Sequence, residues 1–164
     1  MRVTLLAILS LALAACQSTP SSAPNVEPLA GTISLVTGFV PDPEMLTVDI
    51  APVAAQPPGA KLTCAGLYPT QPAVDLQYRA GSEYDLYFYA RGFDGADLTM
   101  GVITPEGEVF CNDDGWYGLN PRVMIGAPAT GLYRVWIGTY RGQPARARLF
   151  ISELNQPANI RIFR

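Results

Sequence analysis

From Thr32 onward, short runs of alternating apolar and polar residues recur, each closed by glycine, proline, serine or asparagine. A period of two sends every second side chain to the same face, so each run can bury one face and wet the other. Many such runs with turn signals between them fit a sandwich or jelly roll. No stretch after Thr32 shows a helical apolar period. The 15 glycines and 15 prolines exceed what a mainly helical chain tolerates. The expected fold class is therefore all-β, a β-sandwich of jelly-roll type built from antiparallel strands.

In chain order, strands are expected at 32–37, at 45–50 after the Pro41-Asp42-Pro43 turn, and as a short third run at 61–64. Residues 74–79 alternate, and the Ala80-Gly81-Ser82 turn leads into 83–90, where Tyr84, Leu86 and Phe88 share a face. Residues 97–103 group Leu98, Met100 and Val102, and Pro105-Glu106-Gly107 reverses the chain into 108–111. Further strands are expected at 122–127, 132–140 and 145–152, with Ile160 and Ile162 in a last edge strand. Within 132–140, Tyr133 reads as a packing residue at the strand start and Trp136 as buried. At 164 residues the chain suits one domain plus short appendages.

The appendages lie at the N-terminus. Arg2, the apolar run 5–13 and the small residues ending at Cys16 read as an export signal, and the run is too short for a bilayer span of about 20 residues. A retained anchor helix or an ordinary signal cut after a small residue are the alternatives. Leu13-Ala14-Ala15-Cys16 resembles the lipobox of bacterial lipoproteins. The resemblance implies cleavage before Cys16, a diacylglyceryl thioether on its sulfur and acylation of the new amine, so that several acyl chains hold the protein to a membrane. Gln17 in the next position implies the outer membrane in a Gram-negative cell. The organisation expected is thus a signal peptide at 1–15, a lipidated Cys16 with a Ser/Pro-rich tether at 16–31, and a β domain at 32–164. The tether could hold that domain up to roughly 45 Å from the bilayer.

Charge and histidine content exclude several classes. A net charge of -3 with Lys61 as the single lysine leaves no basic footprint for nucleic acid. The chain contains no histidine, which removes the imidazole base of Ser-His-Asp and Cys-His sites and the commonest transition-metal ligand. With Cys16 taken by lipid, Cys64 and Cys111 form an even pair in an exported chain, and a disulfide is expected between them.

The densest polar stretch, from Cys111 to Asn120, is the candidate site. Asn112, Asp113, Asp114 and Asn120 bring hard oxygen donors into one turn, and Asp94 and Asp97 could join from a neighbouring loop. Calcium takes about six to eight such oxygens, so this is the one cofactor the sequence offers. The plainer reading is that these Asn and Asp side chains cap a tight turn through their own backbone. Trp116, Tyr117 and Tyr140 offer a possible aromatic contact surface for glycan or protein, against core or loop-anchor packing.

Several of these segments together resemble the bacterial pre-peptidase C-terminal domain. The likeness rests on 98–103, the Pro-Glu-Gly turn, the Cys-Asn-Asp-Asp segment, Asn120-Pro121-Arg122, the 127–133 turn and the strand Arg-Val-Trp-Ile-Gly-Thr-Tyr at 134–140, and covers 78–153. Residues 38–43 with Cys64 are similar to the N-terminal part of a variant of such secreted domains. The resemblance implies a jelly-roll sandwich without a catalytic centre, found beside secreted proteases or in surface proteins, some members binding collagen or calcium.

The expected function is a lipid-anchored, non-catalytic binding or structural module of the bacterial envelope, with an envelope protein or polysaccharide as partner. A calcium-dependent adhesion or stability module and an accessory domain of a secreted peptidase are alternatives. A hydrolase would need Lys61 or a carboxylate such as Asp113 as base, and no Ser-x-x-Lys pattern surrounds Lys61. Arg141, Arg146, Arg148, Arg161 and Arg164 could meet anionic headgroups, though strand alternation explains them as well.

Overall fold

Side chains alternate between core and solvent at 32–36 and 44–50, whereas residues 86–90 and 98–102 are buried on both faces. The computed structural model describes residues 26–51, 64–115 and 117–155. Among them are nine strands: β1 (Thr32–Val36), β2 (Glu44–Ile50), β3 (Val74–Arg79), β4 (Leu86–Gly92), β5 (Leu98–Ile103), β6 (Val109–Asn112), β7 (Arg122–Ile125), β8 (Gly131–Thr139) and β9 (Ala145–Ser152). A single 3-10 turn, Phe93–Gly95, interrupts the β pattern among these residues. The expected strands at 74–79 and 145–152 have these bounds, and the others shift by one to three residues. The run at 61–63, the strand at Ile160 and Ile162, and Cys16 with its signal and tether as far as residue 25 lie outside the described residues.

The strands form two sheets, ordered β1-β3-β8-β5-β6 and β2-β9-β4-β7. With β1 set aside, the chain places β2, β4, β7 and β9 in one sheet and β3, β5, β6 and β8 in the other. This interleaving, in which each sheet draws strands from both halves of the chain, is a jelly roll. One pairing departs from the expected antiparallel arrangement: β1 runs parallel to β3, with Thr32 opposite Asp75 and Val36 opposite Arg79. The intervening β2 belongs to the other sheet, so the chain crosses between sheets before β3 and can return in the same direction as β1.

The core lies between the sheets. Leu76, Tyr78, Leu98, Met100, Val102, Tyr133, Val135 and Ile137 face inward from the five-stranded sheet. Val48, Leu86, Phe88, Leu149 and Ile151 meet them from the other, all essentially buried. Each large apolar side chain buried in this way contributes about 1.5–3 kcal/mol. Tyr84 corrects the expected face of the fifth run: β4 begins only at Leu86, and Tyr84 sits 43% exposed in the turn before it. The polar segment Gly81-Ser82-Glu83 forms that turn, so the alternation has no strand to act on until residue 86.

Both outer faces are partly covered. On the five-stranded sheet, the segment after Cys64 lies across β5 and β8. Its Leu67 bridges Thr139 through paired backbone hydrogen bonds, and the Tyr68 hydroxyl lies in a short hydrogen bond with the Thr99 hydroxyl. Trp136 is 5% exposed beneath it, as expected for that residue, packed with Cys64 and Tyr68. The approach is so close at Gly138 that a Cβ would stand 2.2 Å from the Leu67 carbonyl oxygen, so only glycine fits. On the four-stranded sheet, Tyr87, Tyr89 and Phe150 form a separate buried outer cluster, with the Tyr89 hydroxyl donating to the Leu154 carbonyl.

Candidate functional site

Strand register gathers three loops at one end of the sandwich. Leu98, where β5 begins, lies opposite Thr139, where β8 ends, and Met100 lies opposite Asn112, the last residue of β6. In the other sheet Gly92, the end of β4, is opposite Ala147, and Ile50 is opposite Ala145, where β9 begins. The loops at 93–97, 113–121 and 140–144 therefore share this end. Leu98 N–H donates to the Leu119 carbonyl and Tyr140 N–H to the Asp97 carbonyl, so the loops are joined by backbone hydrogen bonds.

The polar turn is built by its two asparagines. Asn112 Oδ1 accepts from the N–H groups of Gly115 at 2.6 Å and Arg122 at 2.8 Å, closing the turn across ten residues. Asn120 Oδ1 accepts from Gly92 N–H at 3.1 Å and its Nδ2 donates to the Tyr117 carbonyl at 2.7 Å, tying the turn to the end of β4. Both amide oxygens thus serve the backbone, the turn-capping role. Asp114 is exposed and Asp113 half-buried. Asp113 lies near enough to Tyr68 to be felt there: burial pushes that phenol up to about 12, the Thr99 hydrogen bond opposes the rise and the Asp113 charge adds to it. Among the described residues no three Cys, Asp or Glu side chains gather closely enough to hold a metal ion.

Asp94 and Asp97 flank the polar turn from the 93–97 loop and line the grooves beside it. Asp94 has a left-handed backbone, φ 54°, which its short polar side chain tolerates. Tyr117 shares that conformation, φ 43°, and is 55% exposed, and Tyr140 is 51% exposed. Neither tyrosine is packed in the core. Trp116 lies outside the described residues. Cys111, by contrast, is joined to Cys64 in the expected disulfide, with 5.3 Å between the Cα atoms.

The feature missed from sequence is a groove of about 670 Å³ between the 93–97 loop and the outer face of the four-stranded sheet. Its walls are Phe93, Leu119 and Phe150, and Arg91 and Arg148 lie along one side. A second groove of about 850 Å³ adjoins it, sharing Phe93, Asp94 and Leu119. Gly92 allows the loop to fold back here, since a Cβ would meet the Ala96 carbonyl oxygen at 2.6 Å. A phenylalanine between two glycines' reach, in Gly92-Phe93-Asp94-Gly95, was the available signal, because an aromatic in so turn-prone a segment has no strand face to hide it.

No model of a known protein family matches the chain. No curated protein matches it either. Among solved structures it is similar to PliG of Aeromonas hydrophila, a periplasmic lysozyme inhibitor of g-type lysozyme. The identity is 11% and the TM-score 0.38, over 74% of this chain and 96% of that one. So distant a likeness leaves the reading of this chain to its own residues.

Proposed function

We propose that this protein is a lipid-anchored, non-catalytic binding module of the bacterial cell envelope that takes its ligand at the three-loop end of the sandwich. One observation carries the reading: Phe93, Tyr117, Leu119 and Tyr140, all at least 39% exposed, lie on the three loops of that end, and Phe93 and Leu119 line a groove of about 670 Å³ there. Surfaces that keep large apolar and aromatic side chains exposed around a concave site are where ligands and partners bind. Loops on a rigid sheet scaffold supply such sites because their sequence is free of the core's packing demands. The absence of histidine from the sequence supports a binding rather than a hydrolytic role. The lipobox-like 13–16 segment supports attachment through Cys16, and Gln17 supports the outer membrane as its location.

The anchor is tested by growth with labelled palmitate: label in the wild-type protein that Cys16→Ser abolishes is expected, and equal labelling of both would refute it. The binding surface is tested by presenting the full-length protein to separated envelope protein and polysaccharide fractions. Saturable binding that falls with Tyr117→Ala and Tyr140→Ala is expected. Binding to neither fraction, or binding indifferent to both changes, would remove the three-loop end from the account.

A further inference from the structure

We propose that the end of the sandwich opposite the three loops docks a partner protein through a basic patch built around an apolar side chain, a surface separate from the one proposed above. The segments at that end are 37–43, 80–85, 104–108, 126–130 and 153–155, because β1, β3, β5, β7 and β9 finish there and β2, β4, β6 and β8 start there. These segments carry Asp42, Glu83, Asp85, Glu106, Glu108 and Glu153, and neither lysine nor arginine. Arg79, the last residue of β3, stands at the rim opposite Val36. Three of the carboxylates serve the domain itself: Glu153 holds Tyr78 and Gly38, Asp42 accepts from the Ser152 hydroxyl and the Glu153 N–H, and Asp85 accepts from the Tyr87 hydroxyl and the Ala127 N–H. Glu83, Glu106 and Glu108 are exposed and make no ion pair among the described residues.

The apolar part of this surface is held in place. Phe39 packs inward against the core, and Val40 beside it is 91% exposed. The loop that carries Val40 is tied to the end of β9 on both sides, through Gly38 N–H on Glu153 Oε2 at 2.8 Å and through Asp42 on Ser152 and Glu153. Val36 and Tyr84 are each 43% exposed, and Tyr84 lines a groove of about 390 Å³ together with Thr37, Gly38 and Glu83. Exposed apolar side chains on one surface mark a contact site, and a loop already fixed loses little freedom on docking. Charge decides the occupant. Anionic headgroups and acidic polysaccharides are repelled by these carboxylates, and a single metal ion is no match, since among the described residues no three of them gather closely enough to hold one. A second copy offers no complementary face at its three-loop end, where Asp94, Asp97, Asp113 and Asp114 stand against Arg141. A protein that presents several lysines or arginines around one apolar residue meets both features, steered by the carboxylates at long range and seated against Val40 and Tyr84 at contact.

The test is fluorescence anisotropy of a short dye-labelled peptide, with arginines placed around an isoleucine-phenylalanine pair, titrated with the full-length protein. Two comparison peptides carry glutamate in place of arginine, or serine in place of the apolar pair. Saturable binding of the first peptide is expected, about tenfold tighter or more than either comparison, and lost at about 1 M salt, where charges are screened over about 3 Å. Glu83→Gln, Glu106→Gln and Glu108→Gln together are expected to weaken it about tenfold with the melting temperature unchanged, since all three side chains are exposed. Val40→Ser is expected to weaken the first peptide about tenfold and to leave the serine peptide unchanged. No saturable binding, binding indifferent to these changes, or equal binding of the glutamate peptide overturns the proposal. Equal binding of the serine peptide overturns its apolar half. A dimer of the protein alone that the three glutamine changes dissociate, read by sedimentation, would put a second copy in the partner's place and overturn it as well. Tyr117→Ala is expected to leave the peptide unaffected, and its loss there would move the site to the three-loop end. If these titrations fail while envelope fractions still bind through Tyr117 and Tyr140, this end is silent and the binding module stands.

Discussion

Glu153 is buried at the opposite end of the sandwich, with one carboxylate oxygen accepting from the Tyr78 hydroxyl and the other from Gly38 N–H at 2.8 Å. Those two donors offset the cost of placing a carboxyl there. Burial pushes the Tyr78 phenol well above its ordinary 10.0, and its hydrogen bond to Glu153 pushes in the same direction. Burial likewise raises Tyr68 and Tyr133, each to about 12. The consequence for stability has a definite sign. Between pH 10 and 12 the unfolded chain has lost these phenolic protons while the folded chain keeps them, so the folded state binds more protons and stability falls as pH rises. Below pH 10 the contribution is complete. Denaturant midpoints should therefore be flat from pH 8 to 9.5 with respect to these groups and drop steeply above 10. Tyr78→Phe should lower the unfolding free energy at neutral pH by about 1–3 kcal/mol, through the hydrogen bond lost to a buried carboxylate, and should make the alkaline fall shallower. An alkaline slope unchanged by Tyr78→Phe would show that its proton is not part of the linkage.

At the scale of elements, the segment from Cys64 to Tyr68 is held on the five-stranded sheet by one covalent bond and a few polar contacts. The disulfide to Cys111 closes a separation of 47 residues, which in the chain-entropy model stabilises the fold by about 4 kcal/mol. That is a large part of the roughly 5–15 kcal/mol typical of a domain. Replacing both cysteines, Cys64→Ala with Cys111→Ala, is expected to lower unfolding free energy by about 4 kcal/mol and to expose Trp136, read as a red shift of its fluorescence. A loss below about 1 kcal/mol with unchanged emission would mean that packing on Trp136 and the Leu67 bridge suffice. The pairing was legible in the sequence, because two cysteines remained once Cys16 was assigned to lipid. What the segment does was not. Nothing local to Gly138 says that the Leu67 carbonyl rests against it, since the contact joins positions far apart in the chain. The same limit hid the outer cluster of Tyr87, Tyr89 and Phe150: alternation assigns Leu86 and Phe88 to the core and implies that their neighbours face water, yet those neighbours are buried on the other side of the sheet.

For the molecule as a whole, the jelly roll was legible because alternation and turn residues act locally, and each strand carries its own signal. The parallel pairing of β1 with β3 was not, because register between distant strands leaves no local mark. The three-loop end falls between these cases. Its polar turn stood out in composition, while the groove beside Arg91 arises only where the 93–97 loop and Leu119 and Asn120 come over the outer face of β4 and β9. That distinction decides what calcium should do. A calcium site in the turn would draw on the side-chain oxygens of Asn112 and Asn120, but these accept three backbone N–H groups between them. Binding through Asn112 Oδ1, which already accepts two N–H groups, would have to break hydrogen bonds that hold the turn to β7, leaving Asp113, Asp114 and the second lone pair of Asn120 Oδ1 to supply the side-chain share of the roughly six to eight oxygens calcium takes. Any ligand that binds only the folded state raises its melting temperature. Thermal melting of the full-length protein is therefore expected to show no shift between chelator and millimolar calcium, whereas Asn112→Ala should lower the melting temperature equally in both by freeing two N–H groups. A calcium-dependent rise that Asp113→Asn and Asp114→Asn abolish would overturn the capping account and make this end of the domain a calcium site.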